Sequence, residues 1–224
     1  MKIKVSQFVY GDLTSPESWF AKIVEPINRM YCELHGYDYA VERLESIRLD
    51  RHGNWEKIPH IFRSLTDCDY LLFVDADALF YNHLFTIEEE MLPLLGDDSL
   101  FLVASDCGGE EYRWCPWNVN SGVMLFRNTT EARRMLTDWN EIVETPQYEW
   151  AKWHFPSEQQ ICSEYIVAKY KASVVKDYYR FNGIFGQYIR HFLSACCQDR
   201  HSVLKAVYHS PLMERNRKLH QLLK

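Results

Sequence analysis

Tyr70-Leu71-Leu72-Phe73-Val74-Asp75-Ala76-Asp77-Ala78-Leu79-Phe80 is the stretch that decides the fold. Its first five residues are a continuous apolar run, which predicts a central strand covered on both faces. In open α/β sheets, ligands bind beyond the carboxyl ends of the strands. The strand delivers Asp75 and Asp77 to such an end. Separated only by the small Ala76, the two carboxylates converge on one point if the chain stays nearly extended. Like charges repel there unless something positive lies between them. A divalent cation is the natural candidate, and oxygen ligands favour Mg2+ or Mn2+. The plainer alternative is that one Asp caps a turn and the other is solvated.

Two enzyme chemistries place D-x-D after an apolar strand. In nucleotide-sugar transferases the pair holds a metal on a diphosphate. In haloacid-dehalogenase-like phosphatases the first Asp, here Asp75, is a nucleophile and the second a general acid. That second class expects Thr or Val two residues after the pair and a very early motif. Here Leu79 stands in that place, and the pair lies a third of the way along the chain. No GxGxxG, GxxxxGK[ST] or HExxH occurs.

Outward from this strand, the pattern alternates strands with helices. Strands are expected at Ile3–Val9, Tyr37–Val41, Leu100–Ala104, Val123–Phe126, Ala172–Lys176 and Leu204–Tyr208. Helices are expected from Thr14-Ser15-Pro16-Glu17 to Gly36 with a kink at Pro26, and over Trp55–Leu65, Ile87–Leu95, Thr129–Val143, Ser157–Lys169 and Pro211–Leu223. Such alternation argues for an α/β fold with a mostly parallel central sheet flanked by helices. The irregular stretches 106–120, 145–156 and 178–202 are long for a compact domain, and loops of that size tend to carry function.

With 224 residues and 47% apolar side chains, the chain is long enough for one large domain with its own core. A net charge of −6 argues against a general nucleic-acid binder. No apolar run is long enough to cross a bilayer, and the N-terminus lacks the pattern of a signal peptide. The seven cysteines are odd in number and include no CxxC pair, which argues for reduced thiols. A cytoplasmic protein is the expectation. Asn128-Thr129-Thr130 reads as a helix cap rather than a glycosylation site.

Four motifs then come in a telling order: Trp55-Glu56-Lys57-Ile58-Pro59, the strand ending in Asp75-Ala76-Asp77, Asn120-Ser121-Gly122-Val123-Met124-Leu125-Phe126-Arg127-Asn128, and Ser157-Glu158-Gln159-Gln160. The early Tyr31-Cys32-Glu33-Leu34-His35-Gly36-Tyr37 precedes them. The series resembles GT-A-fold glycosyltransferases, most of all family 34, the retaining α-galactosyl-, α-mannosyl- and xylosyltransferases. It is also similar to family 8.

The resemblance implies a single GT-A domain over 1–224: a nucleotide-binding part at about 1–105, an acceptor-side part at about 106–210 and a terminal helix at 211–224. It implies a nucleotide-sugar donor, UDP-linked rather than GDP-linked, and a glycan or other hydroxyl acceptor. Asp75 would contact the ribose and the metal, Asp77 would be a direct ligand, and His209 would complete a site better suited to Mn2+ than to Mg2+. Arg215 is the nearest candidate cation for the diphosphate. Asn120 matches a position that bonds the donor sugar. Glu158 and Gln159 match an acidic-amide pair facing the reacting carbon. Val9 and Tyr10 resemble a base-binding edge, and Lys57 either opposes the diphosphate or is a solvated helix lysine. A non-catalytic sugar-nucleotide binder is a further alternative.

The long loops carry Trp114, Trp117, Trp150, Trp153 and Phe155. Their rings either pack against sugar C–H faces or anchor the loops in the core. The basic stretch Glu214–Lys224 either makes peripheral membrane contact or packs back on the domain as a helix.

Overall fold

The computed structural model describes residues 1–106, 119–175, 178–192 and 200–222. Trp114, Trp117, Leu223 and Lys224 lie outside them, as do Cys107, Cys115, Cys196 and Cys197. The strands are β1 (Ile3–Tyr10), β2 (Asp38–Leu44), β3 (Tyr70–Val74), β4 (Ala78–Phe80), β5 (Phe101–Ala104), β6 (Asn120–Arg127), β7 (Ala172–Val175) and β8 (Ile189–His191).

Six of them form one sheet in the order β2-β1-β3-β6-β5-β7. β1 runs parallel to β2 and β3, and β5 parallel to β7, whereas β6 opposes both its neighbours. The sheet is therefore mostly parallel, with helices packed on it. The apolar run of β3 has the expected cause. Leu71 and Phe73 point into a core with Trp55, Ile58 and Phe126, and Leu72 and Val74 into a second with Ile3, Val5 and Tyr31. All four are fully buried. Each contributes roughly 1.5–3 kcal/mol by leaving water.

The helices follow local chemistry. The segment before Glu25–His35 starts with a wide turn, Phe20–Val24, in which the Glu25 amide reaches back to Phe20 O. Pro26, which has no N–H to donate, falls in the first turn of the regular helix that follows. Ser18, not Thr14 or Ser15, supplies the early cap, its Oγ accepting from the Ala21 amide at 3.2 Å. Gly36 ends the helix with φ 71°, the left-handed cap expected of glycine. Thr129 caps Thr130–Glu141 by accepting from the Ala132 amide.

The strand expected at Leu204–Tyr208 needs correction. The stretch 204–208 is not a strand but part of a helix, Arg200–Tyr208, because Leu204 and Val207, three apart, share its buried face. The short ribbon of β4 against β8, too short to stand out in sequence, places His191 opposite Ala78. No helix among the described residues is long and apolar enough to cross a membrane. Cys32, Cys68 and Cys162 are buried free thiols.

His83 is fully buried, with its Nε2 facing Phe80 O at 3.1 Å. Burial holds its pKa down at about 3, against an ordinary 6.5. As pH falls through 6.5 the unfolded chain takes up a proton that the folded chain refuses until about 3. Stability is therefore fully present above 6.5 and is lost across that window. From pH 7.5 to 5 the loss from this group is roughly 2 kcal/mol. Urea midpoints at the two pH values should show a smaller fall in His83→Gln; an equal fall would assign the acid sensitivity to other groups.

Candidate functional site

The carboxyl edge of β3 is where the sheet opens. β1 continues to Tyr10, although its last partner in β3 pairs Ser6 with Phe73. Past Val74 the chain turns. The Asp75 amide bonds to Gly122 O at 2.7 Å and the Ala78 amide to Asp75 O at 3.0 Å.

Two buried amides hold this turn. Gln7 Nε2 donates to Asp75 O at 2.9 Å, and Asn28 Nδ2 donates to Ala78 O at 3.0 Å and to Gln7 Oε1 at 2.9 Å. Asn28 Oδ1 accepts from the Phe80 amide, and Tyr39 OH donates to Gln7 Oε1. Buried polar groups of this kind are costly unless paired, and here they are paired to the backbone that carries the two aspartates.

Two cations, Lys57 and Arg200, and the imidazole of His191 converge on the acidic turn. Lys57 is only 4% exposed. Its Nζ lies 3.1 Å from Asp75 Oδ1 and 3.0 Å from Glu158 Oε1, and it donates to Ser121 Oγ at 3.1 Å and Ser121 O at 3.2 Å. Burial alone would lower its pKa, but the Asp75 and Glu158 carboxylates raise it well above the ordinary lysine value. It is neither a solvated helix lysine nor an open cation: all its protons are engaged inside the protein.

His191 Nε2 lies 3.0 Å from Asp77 Oδ1 and 3.7 Å from Asp75 Oδ2. Arg200 reaches Asp77 Oδ2 at 3.1 Å, donates through Nε to Phe192 O at 2.9 Å and lies over the Trp19 ring. Burial opposes the charges of both Asp77 and His191. The pair nonetheless holds Asp77 below its ordinary pKa, helped by Arg200, and His191 above its own.

A carboxylate oxygen from each aspartate and a ring nitrogen of His191 lie within 4.8 Å of one another. The fully buried Asn182 faces His191 Nδ1 with Oδ1 at 2.8 Å, so Nε2 is the nitrogen turned to the carboxylates. Gly122 leaves room for the ring: a Cβ there would sit 2.1 Å from His191 Cε1 and 2.9 Å from Asp75 Oδ2. Two carboxylates, one oriented imidazole and a cradle that a methyl group would fill make a donor set that fits a divalent cation.

His209 does not join this group. It is exposed after the helix Arg200–Tyr208, its amide bonded to Lys205 O and its ring edge-on to Tyr208. Arg215 is exposed on the helix Pro211–Leu222. The reason is the corrected element: a helix, not a strand, precedes both. His191 and Arg200 were missed because β8 is three residues long and no spacing ties either residue to Asp77. The one available signal for the histidine was the glycine at 122.

On the other side of Lys57, Asn120 Nδ2 donates to Asp106 Oδ1 at 2.7 Å, and its Oδ1 accepts from the Gly122 amide. Gln159 Oε1 accepts from the Ser121 amide at 3.1 Å, and Nε2 lies 3.5 Å from Asp106 Oδ2. Glu158 is 2% exposed; its Oε1 also accepts from Ser121 Oγ, and its buried Oε2 has no hydrogen-bond partner. Ser157 before it is buried with φ 53°, rare for a non-glycine residue. Val9 buries its side chain in an apolar cluster, so only its backbone can meet a ligand. Tyr10 is half-buried, and burial, then the charges of Glu158 and Asp75, raises its pKa.

With the geometry in place, the likenesses are specific. Residues 4–104 match the model of the galactosyl transferase GMA12/MNN10 family. No curated protein matches the sequence. Among solved structures, a glycosyltransferase involved in the glycosylation of the major capsid of PBCV-1 superposes with TM-score 0.71 at 17% identity, over 92% of this chain and 99% of that one. GlyE of Streptococcus pneumoniae TIGR4 gives 0.60 at 15%, over 97% and 62%. The galactosyltransferase LgtC, solved with donor and acceptor sugar analogues, gives 0.50 at 13%, over 95% and 99%. The chain has the GT-A glycosyltransferase fold. Family match and fold together support a glycosyltransferase.

Two substitutions probe the cluster. Lys57→Met leaves Glu158 buried without its partner and should cost about 3–5 kcal/mol in denaturant unfolding; a loss below 1 kcal/mol would mean the charges are not paired. Gly122→Ala should push His191 off the carboxylates and weaken Mn2+ binding about 10- to 100-fold by calorimetry. Unchanged affinity would remove His191 from the ligand set.

Proposed function

We propose that this chain is a metal-dependent, retaining glycosyltransferase that moves a hexose or pentose from a nucleotide sugar, UDP-linked by preference, to a hydroxyl of a glycan. The observation that carries the reading is the convergence of Asp75, Asp77 and His191 on one point at the carboxyl edge of β3. Two carboxylates and an imidazole favour Mn2+ over Mg2+. When bound, such a cation supplies positive charge against the diphosphate of the donor. Base and metal contacts from residues 1–105 and sugar, metal and diphosphate contacts from 106–210 share one donor site within a single domain, with acceptor contacts also drawn from 106–210. The buried free thiols Cys32, Cys68 and Cys162 fit a reducing, cytoplasmic setting.

The chain's own residues divide the remaining work. The Val9 backbone and the Tyr10 ring, at the open end of β1, receive the base. Asn120, Asp106 and Gln159 form a polar wall that orients the sugar hydroxyls. Lys57 holds Asp75 and Glu158 in place from below, so Glu158 acts as a buried anchor beside Gln159 rather than as a nucleophile. Arg200, anchored on Phe192 O and only partly buried, takes the role expected of Arg215: it opposes the charge that grows on the leaving diphosphate. The sugar becomes oxocarbenium-like as its bond to the phosphate oxygen lengthens. The acceptor hydroxyl attacks the same face, and the departing phosphate oxygen takes its proton, so the configuration is retained. Positioning and electrostatics account for the catalysis.

With Mn2+ and a UDP-sugar, the protein should release UDP slowly even without acceptor. Asp77→Asn and Arg200→Gln should each lower that release by about 10²–10³. Phosphate release from aryl phosphates instead would indicate a phosphatase with Asp75 as nucleophile. UDP affinity with no turnover of any UDP-sugar would indicate a binding protein.

A further inference from the structure

The segment leading into Glu158 carries large side chains that the reaction centre does not use. Trp150, Trp153 and Phe155 are 41%, 60% and 66% exposed, and Leu49 on a neighbouring segment is 88% exposed. Their backbone is braced. The His52 amide bonds to Lys152 O at 2.7 Å and Trp55 Nε1 to Ala151 O at 3.0 Å, which staples the Leu49 side to the Trp153 side. The amides of His154, Ser157 and Gln159 bond in turn to Trp150 O, His154 O and Pro156 O. The His154 ring packs edge-on against Trp150. Rings held in water on a braced backbone forgo burial, and three of them within six residues of chain suit a binding surface.

Neighbouring charge decides what it binds. Arg48 pairs with Asp50, Arg51 with Glu144, and Lys152 with Glu144. Glu149, 70% exposed, meets Lys152 at 4.0 Å. The cations of the patch are thus neutralised by carboxylates, which disfavours anionic lipid and polyphosphate alike. Flat aromatic faces without net positive charge suit the C–H faces of neutral sugar rings. Phe155 is three residues before Glu158, so chain reach keeps their backbones within about 10 Å.

We propose that Trp150, Trp153 and Phe155, with Leu49 at their edge, form a stacking platform for neutral pyranose units of the acceptor glycan. The proposal rests on the glycosyl-transfer reading of the adjoining site. The test titrates the 224-residue chain, with UDP and Mn2+, against maltotetraose, cellotetraose, xylotetraose, mannotetraose and lactose, and reads tryptophan fluorescence. At least one saccharide should change the emission saturably, with affinity about tenfold weaker in Trp153→Ala and in Phe155→Ala. Leu222→Ala, exposed on the helix Pro211–Leu222, should bind as the wild type does. Thermal midpoints of the variants report that they are folded. No binding by any saccharide, or equal affinity in the platform variants, would overturn the proposal. So would ring-dependent sedimentation with phosphatidylcholine vesicles unaccompanied by saccharide binding. Wild-type UDP release, measured separately, tests the transfer reading itself, so the two failures are distinguishable.

Discussion

Two aspartates held side by side at the rim of a sheet repel each other, and the rest of the site is organised around that repulsion. Compensation is divided among a lysine, an imidazole and an arginine from three parts of the chain. Lys57 comes from the start of a helix and takes Asp75. His191 comes from β8 and takes Asp77 with a longer reach to Asp75. Arg200 closes on the outer oxygen of Asp77. Buried charge is expensive unless paired, so these contacts make the acidic turn compatible with folding and leave it suited to a cation and a diphosphate.

The framework beneath is as specific as the charges. β6 runs against its neighbours, and this brings Asn120, Ser121 and Gly122 to the same edge as the carboxyl end of β3. Gly122 then does two jobs. Its carbonyl accepts the Asp75 amide, and its missing side chain admits the His191 ring. Gln7 and Asn28, which touch no ligand-facing atom, spend their amides on the backbone between Asp75 and Phe80. Packing and polar pairing thus converge on three residues of chain.

The division of labour around Lys57 also separates two groups of site residues. On one side, Asp77, His191 and Arg200 form a charged group suited to a leaving diphosphate. On the other, Asp106, Asn120 and Gln159 form a polar, mostly amide group suited to hydroxyls. A sugar diphosphate has this same polarity, charged at one end and hydroxylated at the other.

Much of this was determined by the sequence alone. The apolar run of β3, the alternation of strands and helices and the placement of Asp75 and Asp77 follow from period and burial, which act over a few neighbouring residues. The motifs around Lys57, Asn120 and Glu158–Gln159 stood out through the family resemblance rather than through period, and the structure brings these residues together at the carboxyl edge of β3. Only the tertiary structure decided that Lys57 is a buried clamp, that His191 rather than His209 meets the aspartates, and that Arg200 rather than Arg215 reaches Asp77. These depend on contacts between residues 18 to 123 positions apart, made by a three-residue strand and by a helix whose local pattern reads equally well as a strand. Local chemistry sets the elements; which distant side chains share one point depends on how the layers pack, and no spacing along the chain encodes it.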